Sequence, residues 1–169
     1  MSKVGILNPG LMGISIAASI QSAGHDVYWV STGRSTESRS RAEDNNLNEV
    51  ETLSDLCNIC EIIVCVCPPH GAEDLANEVI KAGFDGLYCD GNAISPQKAQ
   101  RIGEALSTAG IDFVDGSIVG PPAWKADTTR LYLSGKSANQ IAELFVGSVT
   151  DAVVIGDEVG RASALKMVF

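Results

Sequence analysis

A chain of 169 residues holds one domain, or one domain and the start of another. Its 12 basic against 21 acidic residues leave a net charge of −9, which argues against a nucleic-acid or anionic-membrane partner, since either needs surplus Lys and Arg to neutralise phosphates. Hydrophobic residues at 45% and charged residues at 20% describe a folded chain able to bury a core without staples.

The first expected strand, Val4–Leu7, runs through Asn8-Pro9-Gly10-Leu11-Met12-Gly13 into a helix ending near Ala23. A second strand, Val27–Val30, precedes a polar, unpatterned stretch from Ser31 to Asn48 that predicts a loop and one exposed short helix. Cys57–Cys60 closes a helix ahead of a third strand, Ile62–Cys67. Ala72, Leu75, Ala76, Val79 and Ile80 then recur at helical spacing, followed by a strand at Gly86–Asp90. Ser95-Pro96 places a capping hydroxyl before a proline at the first helical position, and Gly110 closes that helix. Strands at Ile111–Asp115, Leu131–Leu133 and Ala152–Ile155 follow, with a helical stripe at Ala138, Ile141, Ala142 and Phe145. Asp157–Gly160 opens a last, strongly apolar helix that is still running at Phe169, and it is expected to need a partner surface, as in a homodimer. Short apolar strands alternating with helices predict an α/β fold, a doubly wound and mostly parallel sheet with helices on both faces.

The longest apolar stretches, Leu11–Ile20 and Ile62–Cys67, fall short of the roughly 18 residues of a membrane span. The five cysteines, an odd number, suit free thiols in a reducing compartment, so a cytoplasmic protein is expected. Cys57-Asn58-Ile59-Cys60 has metal or redox spacing but lacks a second pair, and buried structural thiols are expected there. His25 belongs to a Gly-His-Asp turn, and His70 follows Pro68-Pro69 at a helix start, where capping or exposure outweighs catalysis.

The turn after the first strand carries most of the chemical information. In a G-x-G-x-x-G turn between a strand and a helix, the glycines permit a tight turn, close approach of a pyrophosphate, and close helix–strand packing. The helix N-terminus holds the anion. Here Gly10 and Gly13 fill the second and third places and Asn8 the first. Asn tolerates the left-handed conformation, whereas a residue before proline prefers to be extended. With the strands and helices around it, the turn predicts a Rossmann-type dinucleotide site. No acid follows the second strand, where NAD sites place one for the ribose hydroxyls. Ser31, Thr32 and Arg34 stand there instead and favour the 2′-phosphate of NADP, with NAD as the second choice. The alternative is that Arg34, Arg39 and Arg41 are solvated loop charges balancing Glu37 and Glu43.

Gly5-Ile6-Leu7-Asn8-Pro9-Gly10-Leu11-Met12-Gly13 resembles the N-terminal fingerprint of the β-hydroxyacid dehydrogenases, which include 6-phosphogluconate and 3-hydroxyisobutyrate dehydrogenases. Four further segments are similar to that family in the same order: Ile63–Pro69, Asp90–Pro96, Asp115–Pro122 and Gly160–Lys166. The resemblance implies that Cys67, Pro68, Asn92 and Ala93 pass beside the nicotinamide and that Val119, Gly120 and Pro121 lie in the substrate loop. It also implies that Lys166 exchanges a proton with a small-molecule substrate while hydride passes between a CH–OH carbon and the cofactor. Val159, Ala162, Lys166 and Phe169 share one helical face, and a lysine among apolar groups suits proton exchange near neutral pH.

The chain departs from the family where Val119-Gly120-Pro121 replaces a serine and two glycines and Asn92-Ala93 replaces a Ser-Thr pair. The lost serine hydroxyl leaves an imine-reducing relative, or a non-catalytic dinucleotide-binding module, as alternatives. Trp124 is either a cleft wall or interface packing. The expected organisation is an NAD(P)-binding domain over 1–156. Residues 157–169 would begin an interdomain helix leading to a helical substrate and dimerisation domain, so the sequence reads as truncated and, alone, inactive.

Overall fold

A computed structural model of the chain describes residues 1–168. In chain order it contains β1 (Lys3–Leu7), α1 (Leu11–Ser22), β2 (Asp26–Val30), α2 (Thr36–Asp44), β3 (Asn48–Val50), α3 (Leu53–Ile59), β4 (Ile62–Cys65) and α4 (Ala72–Lys81). The second half contains β5 (Leu87–Asp90), α5 (Pro96–Thr108), β6 (Asp112–Val119), β7 (Arg130–Ser134), α6 (Ala138–Ala142), β8 (Asp151–Gly156) and α7 (Arg161–Lys166). The strands form one sheet in the order β3-β2-β1-β4-β5-β6-β7-β8. The first six are parallel, β7 runs antiparallel to β6, and β8 is parallel to β7. The strand order reverses direction between β1 and β4, and such a switch opens a crevice at the carboxyl ends of those strands.

The side-chain alternation of the strands sorts the core into two layers. Val4, Ile6, Ile62, Val64, Leu87 and Cys89 face α1 and α6. Leu7, Ile63, Cys65 and Tyr88 face α3, α4 and α5. Among the described residues no helix is long and apolar enough to cross a membrane.

The expected elements are present with shifted ends. β4 stops at Cys65 rather than Cys67, because the Cys67 N–H turns to the Asn92 side-chain oxygen and Pro68 has no N–H to give. β6 runs past Asp115 to Val119, because β7 folds back and pairs with it from Asp115↔Ser134 to Val119↔Arg130. The strand β3 lies in the stretch after the exposed helix; it is short, polar and on the sheet edge, with no alternation for a sequence pattern to reveal. Ser95 caps α5 as expected, its Oγ accepting the Lys98 N–H at 3.1 Å.

The last helix is less orphaned than its composition implies. Asp115 accepts the backbone N–H groups of Gly160 and Ser163 at 3.0 and 2.9 Å and the Ser163 hydroxyl at 2.6 Å. The Ser134 hydroxyl accepts the Ala162 N–H at 3.0 Å. The start of α7 is therefore docked on β6 and β7, with Ala162 and Ser163 buried, while Met167 and Val168 are exposed. Phe169, expected to share the face of Lys166, lies outside the described residues.

Asp90, the register partner of Asp115 on β5, is fully buried. Its Oδ1 accepts the Asn92 N–H at 2.8 Å, and its Oδ2 has no partner among the described residues. Burial pushes its carboxyl up to about 6, against the pull of the Asn92 hydrogen bonds, and the nearby Asp115 charge adds to the rise. In an unfolded chain an Asp titrates near 3.9, so the folded state binds this proton more tightly, and stability falls as pH rises from about 4 to 6. Two units of difference correspond to about 3 kcal/mol. Asp115, also raised by burial, contributes with the same sign. Asp90→Asn keeps the acceptor for Asn92 and removes the charge. The variant is expected to unfold at a higher temperature than the parent at pH 8 and to show a flatter dependence of melting temperature between pH 4 and 7. An unchanged slope would contradict this assignment.

Candidate functional site

The turn after β1 adopts the conformation that the Asn8 substitution requires. Asn8 has φ of 63°, despite the proline that follows, and its carbonyl accepts the Gly10 N–H at 2.8 Å. A Cβ at Gly13 would stand 2.4 Å from that same carbonyl oxygen, so only glycine lets α1 begin so close to the strand. A Cβ at Gly10 would meet nothing within 4 Å, leaving open space over the turn. The first turn of α1, which includes Leu11 and Met12, has no acidic residue and no side-chain cap. Its backbone N–H groups and the positive end of the helix dipole are available to an anion. Arg41 of α2 braces the turn, its Nε donating to the Pro9 carbonyl at 3.0 Å. That contact joins residues far apart in sequence, and nothing in the local pattern announces it.

The loop after β2 divides its polar groups. Ser31 is buried and donates its hydroxyl to the Val50 carbonyl at 3.3 Å, so β3 already engages it. Thr32 is exposed, and Arg34 is half-buried with an Nε that has no partner among the described residues. Arg39 pairs with Glu49 at 3.2 Å and lies over the Trp29 ring, while Arg41 serves the Pro9 carbonyl. Among the described residues neither is paired with Glu37 or Glu43, and Arg34 keeps a buried Nε without a partner. A cavity of about 280 Å³ lies beside it, lined among others by Leu7, Val30, Thr32, Arg34, Glu51 and Glu78.

At the ends of β4 and β5, Asn92 ties the loops together. Its Oδ1 accepts the Cys67 N–H, and its Nδ2 approaches the Cys65 sulfur at 3.7 Å. Pro68 and Ala93 are exposed beside it. A Cβ at Gly91 would lie 3.5 Å from Ile118 and 3.6 Å from Val66, so this loop sits between the β4 and β6 ends. Val66 in turn lies beside Gly13. The first glycine-rich turn, Cys67, Asn92 and the end of β6 thus share one edge of the sheet.

Beyond β6, Val119 is half-buried, and Gly120 and Pro121 are exposed. Gly120 has φ of 123°, and the Pro121 carbonyl accepts the Thr129 hydroxyl at 2.6 Å. The Ala123 N–H donates to Ser15 of α1 at 2.8 Å, fixing this loop against the helix that begins at the turn. Trp124 is 52% exposed. Lys166 is not held by apolar groups alone: its Nζ donates to the Ile118 carbonyl at 2.7 Å, which pins it to the end of β6. His70 is exposed, and His25 accepts the Ser2 N–H through Nδ1. Cys57 and Cys60 are buried thiols, pushed up to about 11 and about 12 by burial. Among the described residues, no group of three or more His, Cys, Asp and Glu could hold a metal. A motif reading misses Asp90 and Asp115 as anchors of the Asn92 loop and of α7; their signal is an Asp closing an apolar strand run before a glycine.

The family model for the NAD binding domain of 6-phosphogluconate dehydrogenase matches residues 3–145. Among solved structures, a conserved protein of unknown function, described as structurally similar to 3-hydroxyacid dehydrogenases, aligns with 28% identity and a TM-score of 0.85 over 98% of this chain and 62% of its own. The Myxococcus stipitatus imine reductase in complex with NADP+ aligns at 23% identity and TM-score 0.79, over 98% of this chain and 59% of its own. The Mycobacterium tuberculosis 3-hydroxyisobutyrate dehydrogenase aligns at 18% identity and TM-score 0.84, over 99% of this chain and 58% of its own. The chain therefore spans about three-fifths of the length of these solved relatives. The match over 3–145 identifies it as a member of the family of NAD-binding domains typified by 6-phosphogluconate dehydrogenase.

Proposed function

We propose that this domain binds NADP in preference to NAD and forms the cofactor half of an oxidoreductase that acts on the CH–OH group of a small hydroxyacid-like molecule. The observation that carries the reading is the turn after β1, with open space at Gly10, Gly13 against the Asn8 carbonyl, and an uncapped first helical turn without an acid. A pyrophosphate approaching Gly10 would be held by the N–H groups of Leu11, Met12 and Gly13. Asn8 and Pro9 shape that cradle, and Arg41 keeps Pro9 in place.

Thr32 and Arg34 would receive the ribose 2′-phosphate, because the Arg34 guanidinium suits an anion and no acid closes β2, with Glu51 and Glu78 on the other walls of the cavity beside it. Ser31 supports the loop more than the ligand, since its hydroxyl is committed to Val50. Cys67, Pro68, Asn92 and Ala93 would border the nicotinamide, which supplies hydride transfer when bound. Val119, Gly120 and Pro121 would line the substrate side. Lys166, released from the Ile118 carbonyl, would hold or accept the proton of the substrate hydroxyl at Nζ.

The imine-reducing reading has its own support. Val119-Gly120-Pro121 offers no side-chain hydroxyl to a substrate carboxylate, and imine reductases are among the similar folds. Comparing imines with hydroxyacids as substrates of a longer chain that includes this domain separates the two.

Thermal unfolding tests nucleotide binding directly. At about 100 times its dissociation constant a ligand adds about 2.7 kcal/mol, worth several degrees for a domain of this size. NADPH is expected to raise the melting temperature more than NADH, and Arg34→Ala to bring the NADPH shift down to the NADH value. Equal shifts in the parent would overturn the NADP preference. Gly10→Val fills only open space, so the unliganded variant is expected to stay within about 1 kcal/mol of the parent and to lose the shift with both nucleotides. A retained shift would sink the pyrophosphate placement. Lys166→Met is expected to leave the NADPH shift unchanged, because its assigned task is the substrate proton; loss of that shift would show that Lys166 serves nucleotide binding.

A further inference from the structure

Cys65 and Cys67 stand apart from the other thiols, and their sulfurs have no part in the hydride chemistry proposed for the crevice that Cys67 borders. Residues two apart on a strand share a face, and the end of the β4 ladder at Cys65 lets the chain turn so that the two sulfurs meet at 3.7 Å. Cys65 is fully buried and Cys67 is half-buried at the sheet edge, so one sulfur is open to a small reagent and the other waits beneath it. Cys57, Cys60 and Cys89 are all buried. We infer that Cys67 and Cys65 form a thiol–disulfide exchange site, with Cys67 attacking a low-molecular-weight disulfide and Cys65 resolving it.

The chemistry balances without any group beyond that reagent. The Cys67 thiolate attacks one sulfur of the small disulfide, a mixed disulfide forms, and a first small thiolate leaves and takes up a proton. Cys65 then gives up its proton and attacks the Cys67 sulfur, forming the Cys65–Cys67 bond and releasing a second small thiol. The protein dithiol is oxidised and one small disulfide is reduced to two thiols. Closing 3.7 Å to the roughly 2.05 Å of a disulfide asks for a shift of the Val66–Cys67 segment, which lies beyond the end of the strand.

The electrostatics favour Cys67 as the attacking sulfur. The Cys65 thiol donates to the Cys67 sulfur and holds the Cys67 thiol below its ordinary value; Asn92 and Lys98 add to this, against the effects of burial and of the nearby Asp90 charge. The Cys65 thiol is raised by its hydrogen bond to Cys67 and by burial, and it keeps its proton until the Cys67 sulfur is taken up in the mixed disulfide. The Cys57 and Cys60 thiols are displaced upward, to about 11 and about 12, so they hold far less thiolate at neutral pH. The site does not depend on the nucleotide reading, because neither sulfur needs a bound cofactor to react.

The test treats the reduced full chain with glutathione disulfide, alkylates the remaining thiols, and follows both by intact mass. The parent is expected to lose two thiols with no lasting adduct. Cys65→Ser is expected to stop at a single stable glutathione adduct. Cys67→Ser is expected to react at least about tenfold more slowly, and Cys60→Ser at the parent rate. The inference is overturned if the parent keeps all five thiols, or if Cys60→Ser abolishes the reaction and Cys67→Ser does not. Should Cys65→Ser fail to fold, the contrast between Cys67→Ser and Cys60→Ser decides the question.

Discussion

Two carboxylates buried side by side, on β5 and β6, hold one edge of this sheet in shape. Burying a charge is costly unless hydrogen bonds satisfy it, and the chain supplies them from opposite directions. Asp90 gathers the backbone of Asn92, while Asp115 gathers Gly160 and Ser163. One anchor sets the loop that meets Cys67; the other sets the helix that presents Lys166 to the Ile118 carbonyl. Asp115 satisfies both of its oxygens and Asp90 only one, which is why the cost of burial is concentrated at Asp90.

The glycine-rich turn obeys a different constraint, one of space. Gly13 is required because α1 starts against the Asn8 carbonyl, and Asn8 is tolerated because its left-handed backbone is within reach of an Asn side chain. Proline at position 9 does not spoil the turn, and its carbonyl gains a guanidinium partner in Arg41. A turn that has lost its first glycine therefore keeps its shape with help from α2. The same helix contributes Arg39 to Glu49 and Trp29, so a short, exposed and polar segment stabilises both sides of the crevice mouth.

Much of this was legible in the sequence. The apolar runs and helical stripes located the parallel strands and their helices, and the order of short motifs pointed to the family that the match over 3–145 establishes. What periodicity could not reveal was set by long-range partners. β3 is too short and polar to leave a pattern, and β6 lengthens only because β7 returns beside it. Ser31 reads as a ligand hydroxyl until the β3 carbonyl claims it, and Lys166 reads as surrounded by apolar groups until its Nζ is found on a strand carbonyl. Asp90 and Asp115 open two of the family-like segments, but their roles depend on which backbone N–H groups the fold delivers to them.

In the proposed function the edge bounded by Asn8–Gly13, Arg34 and Asn92 receives a dinucleotide phosphate-first at the start of α1. An amide NMR titration of the chain with NADPH tests it most directly. Binding there is expected to give saturable shifts at Leu11, Met12 and Gly13, joined by Arg34 and Asn92, with the amides of the far side unmoved. Shifts confined to the separate cavity of about 390 Å³ near the amino end of β6, lined by Gln100, Glu104 and Lys136, or no saturable shifts, would contradict it.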